Sequence, residues 1–243
     1  HLGDDLDIHC GGIDNAFPHH TNEIAQSESY LGHKWCNYWF HVHHLNTDNG
    51  KMSKSKGEFL TVSLLEQKGY DPMAYRLFCL QSHYRRNLVF SWENLDNAVA
   101  AYDKLIAKIA ALKPGEDIDR EAFDKLKERF VNALNGDLNT SVAVTALYDV
   151  LKAKCNDATK LALIADFDQV LSLNLLAAAE KYNQKKTEEE AASADPEIDA
   201  LVAARTAAKK EKNFAEADRI RDELKARGIE IIDTPQGAKW RKV

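Results

Sequence analysis

Apolar positions along the chain follow two regimes. Up to about residue 60 they come in short bursts broken by glycine. Leu6–His9 alternates as a strand does, and Gly11-Gly12 is expected to break it. From Pro18 to Tyr30 the spacing is helical, with proline in the first turn and Gly32 as the stop. Asn37–Leu45 is aromatic and β-branched enough for a buried strand, and Asn49-Gly50 marks a turn after it. From Thr61 to about Tyr182 the period becomes that of helices. Thr61 caps a short helix that stops at Gly69, Asp71-Pro72 opens one over Met73–Gln81, and Ser91 opens another that runs toward Leu112 and Pro114-Gly115. Thr140 begins a further helix with Val142, Val144, Leu147, Val150 and Leu151 expected along one stripe. Stripes of this kind predict a helical bundle with the apolar faces as core.

Gln184–Ala194 is polar and without pattern, and reads as a linker. Beyond it Asp195-Pro196 starts a charged helix, Phe214–Ala226 forms a second that ends at Gly228, and Gly228–Asp233 and Ala238–Val243 read as two strands joined through 234–237. The fold class expected is therefore α/β plus mainly α. Its divisions are residues 1–62, a helical region 63–183, the linker 184–194, and a small α+β module 195–243.

Composition narrows the classes of function. A chain of 243 residues with 44% hydrophobic and 29% charged residues can build a core, which excludes wholesale disorder. No apolar run reaches the ~18–20 residues of a membrane span. The balance of 32 basic against 38 acidic residues, a net charge of −6, excludes a uniformly basic nucleic-acid binder but not a local basic patch. Residues 195–243 carry 11 Lys+Arg against 10 Asp+Glu, whereas residues 1–60 carry 4 against 8. Cys10, Cys36, Cys79 and Cys155 form no C-x-x-C pair, so scattered thiols in a reducing, cytoplasmic setting are expected.

Eight of the nine histidines lie within the first 44 residues, and the chemistry concentrates there. Lys51-Met52-Ser53-Lys54-Ser55-Lys56-Gly57 is a cationic run without an acid. It can close on a polyphosphate, although a lysine run by itself equally describes a solvated loop. His19 and Glu23 stand four apart, share a helical face and can offer a nitrogen and an oxygen to Zn²⁺, or simply hydrogen-bond to each other. Cys10-Gly11-Gly12-Ile13-Asp14 places glycines, which permit close backbone approach, just before a carboxylate suited to ribose hydroxyls or an amine. A plain turn has the same composition.

Taken in order, IHCGGIDNAFPHHTNEIAQSE and GKMSKSKGEFLTV, followed by SHYRRNLVFSWENLDNA and AEADRIRDELKARGIEIIDTPQGAKW, resemble the cysteinyl-tRNA synthetases, a class I aminoacyl-tRNA synthetase family. The resemblance covers essentially the whole chain. It implies the C-terminal part of a Rossmann-like catalytic domain with a KMSKS loop, then a stem-contact segment and helical bundle, then an anticodon-binding module. It implies ATP-dependent activation of cysteine to cysteinyl-adenylate and transfer to the tRNA for cysteine, with ATP and Mg²⁺ as substrate. Lys51 and Lys54 would meet the ATP phosphates, and Gly11, Gly12 and Asp14 would lie by the adenylate. His19 and Glu23 match two of the family's four zinc ligands, the other two being cysteines. A thiolate binds Zn²⁺ far better than a hydroxyl does, so the metal itself would select cysteine. Both family cysteines and the HIGH motif belong upstream of the segment that starts at His1. The chain is therefore expected to be a portion of the enzyme, inactive alone and substoichiometric in zinc, with Cys10 not a ligand.

The resemblance also implies tRNA contacts. Arg85 and Arg86, beside Tyr84, would meet acceptor-stem phosphates, and Trp240 with Arg241 would meet an unstacked anticodon base. His41 resembles a position near the active site, whereas His43 and His44 are read as packing. A monomer is expected. Two rival readings are a cysteine:amino-sugar ligase of mycothiol synthesis, which would lack the tRNA-reading module, and a non-catalytic tRNA-binding fragment.

Overall fold

A computed structural model describes residues 3–47, 50–51, 61–192, 195–211, 213–234 and 237–242. The chain divides into two compact units, His1–Ala179 and Glu180–Val243.

In the first unit β1 (Leu6–Gly12) leads through a tight turn at Ile13–Asn15 and a wider one at Ala16–His20 into α1 (Thr21–Leu31) and then β2 (Cys36–Val42). The two strands pair in parallel, from Leu6↔Cys36 to Gly12↔Val42, so the segment is a strand–helix–strand unit. Gly32 ends α1 at φ +76, and its N–H donates to the Glu28 carbonyl. A second sheet orders β4 (Gly50–Lys51), β3 (Leu45–Thr47) and β5 (Leu88–Phe90), with β3 antiparallel to β4 and parallel to β5.

Two expectations for this region are corrected. Gly11-Gly12 does not break β1, because both glycines pair in register with His41 and Val42. Residues 37–45 are not one buried strand but parts of two strands in two sheets, and within β2 only Cys36 is buried. The chain changes sheets at His43-His44, where the His43 N–H donates to the Tyr84 carbonyl (2.9 Å) and the His44 carbonyl accepts from the Leu88 N–H (3.2 Å).

The helices are α2 (Val62–Gln67), α3 (Pro72–Leu80), α4 (Trp92–Ala110), α5 (Arg120–Asn135), α6 (Thr140–Lys152), α7 (Asp157–Leu171) and α8 (Leu175–Ala192). Thr61, Asp71, Ser91, Asp119, Asn139 and Asn156 cap the first six, each accepting a backbone N–H from the first turn. Each cap contributes about 1 kcal/mol. Leu77, Leu105, Leu147, Leu163 and Ile164 are fully buried between these helices, and Phe130 stacks on Phe167 at 4.0 Å with planes 8° apart. The buried Tyr102 hydroxyl donates to the Leu173 carbonyl at 2.8 Å, so the core leaves that polar group satisfied. Asp168 accepts the N–H groups of Leu173 and Leu175 and thereby fixes the α7–α8 turn. Val142 does not join the stripe of Val144, Leu147 and Val150. It is exposed, because residues two apart on a helix point to nearly opposite sides.

In the second unit α9 (Pro196–Lys210) and α10 (Phe214–Ala226) pack beside a hairpin of β6 (Ile229–Thr234) and β7 (Gly237–Lys242), around Ile198, Val202, Ile220, Leu224 and Ile229. The stretch 184–194, expected to be without structure, continues α8 as far as Ala192. No single helix among the described residues is long and apolar enough to cross a membrane.

The Phe130–Phe167 stack lies at the centre of the bundle. Phe167→Ala is expected to lower unfolding free energy by about 3–5 kcal/mol in urea titration, and Val142→Ala by less than about 0.5 kcal/mol.

Candidate functional site

Ligands of parallel sheets bind beyond the carboxyl ends of the strands, and here those ends are Gly12 and Val42. Strand alternation places His9 and Gly11 on one face of β1, where the register sets them beside Trp39 and His41 of β2. The buried His20 covers this face. A Cβ at Gly11 would lie 2.7 Å from His20 Cε1 and 2.9 Å from its Nε2, so only glycine lets the ring settle there. His20 Nδ1 is 2.8 Å from His41 Nε2, and its ring lies 4.7 Å from that of His9 and 5.0 Å from that of Trp39.

Glu23, from the first turn of α1, reaches into this group. One carboxylate oxygen lies 2.8 Å from His9 Nε2 and 4.0 Å from His20 Nε2, and the other lies 3.4 Å from His19 Nε2. The donor atoms of His9, His20 and Glu23 all fall within 4.8 Å of one another. Burial, and then the neighbouring His9, push the His20 imidazole below its ordinary pKa of 6.5, against the pull of Glu23. His20 is therefore neutral at pH 7, which leaves a ring nitrogen able to accept or to ligate. Two imidazoles and a carboxylate form a donor set suited to Zn²⁺.

On the other face Gly12 adjoins a second pair. His44 Nε2 lies 3.4 Å from an Asp14 carboxylate oxygen, and a Cβ at Gly12 would come within 2.5 Å of that same oxygen. The structure thus brings Gly11, His19 and Glu23 together in one cluster and Gly12 with Asp14 beside it. Sequence reasoning passed over His9 and His20, placed His41 near the active site only through the family resemblance, and read His44 as packing. The available signals were the two-residue alternation of His9 with Gly11 and the three-residue spacing of His20 and Glu23. Cys10 is exposed and Cys36 buried, and neither joins the cluster among the described residues. Lys51 ends β4, its backbone paired with Asn46, and Lys54 lies outside the described residues.

The proposed RNA-contacting residues are placed differently from one another. Arg85 is held by Asp137, with Nε 2.6 Å from one oxygen and Nη2 3.2 Å from the other, while the Tyr84 hydroxyl donates to Asp137 at 2.5 Å. The Arg85 guanidinium and the Tyr84 hydroxyl hold the Asp137 carboxyl at about 2, well below its usual range. Arg86 is exposed and has no side-chain hydrogen bond or ion pair among the described residues. Trp240 packs partly buried against the second unit's core and donates its indole N–H to Asp199 at 2.7 Å. The backbone of Arg241 pairs with that of Glu230 in the β6–β7 hairpin.

Residues 1–100 match the family described as tRNA synthetases class I (C) catalytic domain, and residues 191–241 match the cysteinyl-tRNA ligase anticodon binding domain. The Cysteine–tRNA ligase of Symbiobacterium thermophilum is 40% identical over 256 residues, covering 100% of this chain and 54% of that protein. Its counterpart in Novosphingobium aromaticivorans is 41% identical over 99% of this chain and 51% of that protein. The chain spans about half the length of the curated relatives it matches. A LeuRS–tRNA–LeuAMS ternary complex from Agrobacterium radiobacter shares the fold at a TM-score of 0.53 and 14% identity, over 72% of this chain and 27% of that one.

The two glycines differ in what a methyl group would meet. Gly11→Ala confronts a buried ring held by His41, and is expected to cost about 1–3 kcal/mol and to lower the melting temperature. Gly12→Ala meets a side chain on the surface that can rotate away, and is expected to leave the melting temperature within 2 °C or so of the unaltered chain.

Proposed function

The chain belongs to the cysteinyl-tRNA ligase family, and from that premise we propose that the whole protein activates cysteine with ATP and transfers it to the tRNA for cysteine. The observation that carries this reading is the Glu23-centred cluster at the carboxyl ends of the parallel strands, in the same segment that runs on to the lysine loop.

In this proposal the residues divide the work by position. Gly11 and Gly12 let substrate approach the backbone, and Asp14, steadied by His44, grips the adenylate's hydroxyls or the amino acid's amine. Lys51 and Lys54 neutralise charge that builds on the phosphates of Mg²⁺-bound ATP, where a preorganised cation is worth several kcal/mol of barrier. Glu23 with His19, or with His9 and His20, would hold zinc, and bound zinc would supply a site that prefers a thiolate over a hydroxyl. His41 keeps the His20 ring in place through its 2.8 Å contact. No general base is required, since positioning and charge stabilisation account for adenylation.

The match of residues 191–241 to an anticodon-binding domain favours a tRNA substrate over an amino sugar. We also propose the functional divisions 1–62, 63–183, 184–194 and 195–243, a monomer, and a cytoplasmic site of action.

Three outcomes test the reading. The chain should shift the tRNA for cysteine in a gel at low salt, and no shift would remove the tRNA arm. Glu23→Ala should weaken zinc at least about tenfold in competition with a chromophoric chelator, whereas unchanged affinity would remove the metal assignment. In the whole protein, Lys54→Ala should cut cysteine-dependent ATP–pyrophosphate exchange by about 10²–10³.

A further inference from the structure

Beside the Arg85–Asp137 pair the first unit contains a cavity of about 350 Å³ whose lining includes none of His9, His19, His20 and His41. Phe40, Val42, Tyr75, Cys79 and Leu138 give it a mostly apolar lining, into which His43, Ser82, His83 and Thr140 bring polar groups. Burial raises the Tyr75 phenol to about 12 and pushes the Cys79 thiol up, so both remain uncharged and the interior carries no anion. The volume lies near the lower end of ligand pockets, the size of one flat heterocycle rather than of a larger ligand. Arg86 stands at the rim, exposed and without a side-chain partner among the described residues.

We propose that this cavity takes one unstacked nucleotide of the bound RNA, with its base inside and its phosphate on Arg86, and that Asp137 is the positioning residue that presents Arg86. The inference rests on the tRNA-binding reading above and adds to it a site and a partner atom for each group.

Asp137 acts through its neighbours. It takes both nitrogens of the Arg85 fork and the Tyr84 hydroxyl, and His83 Nε2 lies 3.9 Å from it. Tyr84 is in turn fixed between Phe40, at 4.3 Å between ring centres, and His83, at 4.8 Å. Three successive residues of the loop are thereby committed to internal contacts, and the fourth, Arg86, is left to face outward. The turn that offers Asp137 is a costly one. Asp137 and Leu138 adopt φ of +64 and +51, a region that non-glycine residues rarely enter. It is held by the Leu138 N–H on Leu134 and the Asn139 N–H on Ala133. An unneutralised guanidinium beside a mostly apolar, base-sized hollow without a carboxylate in its lining is complementary to a nucleotide splayed out of its stack. RNA-reading proteins contact single nucleotides in this way, with phosphate on a cation and base against apolar or aromatic walls.

The test is equilibrium filter binding of the full 243-residue chain to unmodified tRNA and to a blunt, fully paired RNA hairpin, across a salt series. Arg86→Gln should weaken tRNA binding about tenfold and lower the slope of log K against log salt by about 1. Val42→Phe, which fills the cavity, should weaken tRNA binding roughly fivefold or more and leave the hairpin unchanged. Asp137→Asn should reduce the preference for tRNA over hairpin, since the loop no longer holds Arg86 in place. If the unaltered chain binds no tRNA, the parent reading falls and this inference with it. If tRNA binds but Arg86→Gln moves neither affinity nor slope, this inference alone is overturned. Arg86 is exposed, so that variant decides the matter even if Val42→Phe fails to fold.

Discussion

The parallel register of β1 on β2 is the constraint on which the rest of the site depends. It sets His9 beside Trp39 and Gly11 beside His41, and so composes one face from two strands far apart in sequence. His20 can then close over that face only because Gly11 presents no side chain. A shift by one residue would turn His9 and Gly11 away from the ring and toward the opposite side. The chemistry of Glu23 follows from the same constraint. The helix that connects the strands delivers its first turn to the carboxyl ends, where His9 already waits.

The bundle serves a comparable purpose farther along the chain. Its capped helices and stacked phenylalanines make a rigid body, and one of its turns, between α5 and α6, is spent on orientation rather than on packing. Asp137 departs from ordinary backbone geometry, and the contacts it makes run to the loop between α3 and β5. The His43 N–H binds that same loop at the Tyr84 carbonyl, and the His44 carbonyl accepts from Leu88 at the start of β5. Strand, loop and helix turn are therefore coupled around the cavity. A change in any of them alters what Arg86 can reach.

Helix ends were legible in the sequence because caps are local. Thr61, Asp71, Ser91 and Asp195 each satisfy an N–H within a few residues, and Gly228, at φ +72, follows the last helix where a stop was expected. Phe214–Ala226 was legible from end to end for the same reason. What could not be read is what tertiary pairing decides. Gly11 and Gly12 look like a breaker until a partner strand supplies their hydrogen bonds, and 184–192 look like a linker because a helix there has little apolar surface to advertise it. Within the site, His19 and Glu23 announced themselves by spacing. His9 and His41 lie on different strands, and only the register brings them to Glu23 and His20.

The same logic limits what a charge count can say about RNA. Residues 195–243 are the most nearly basic part of the chain, yet Arg219, Arg221 and Arg227 there are each engaged by carboxylates on or near their own helix. Arg205 is buried, and Trp240 spends its indole N–H on Asp199. Such pairs contribute little field at the distance of a phosphate, because each cation's charge is cancelled within a few ångströms while the solvent screens the remainder. Arg85 is cancelled by Asp137 in the same way, although it sits next to Arg86 in sequence. Two adjacent arginines of equal composition thus differ in what they offer an anion. The quantity that predicts binding is the set of cations left without an internal partner, and that set is fixed by folding.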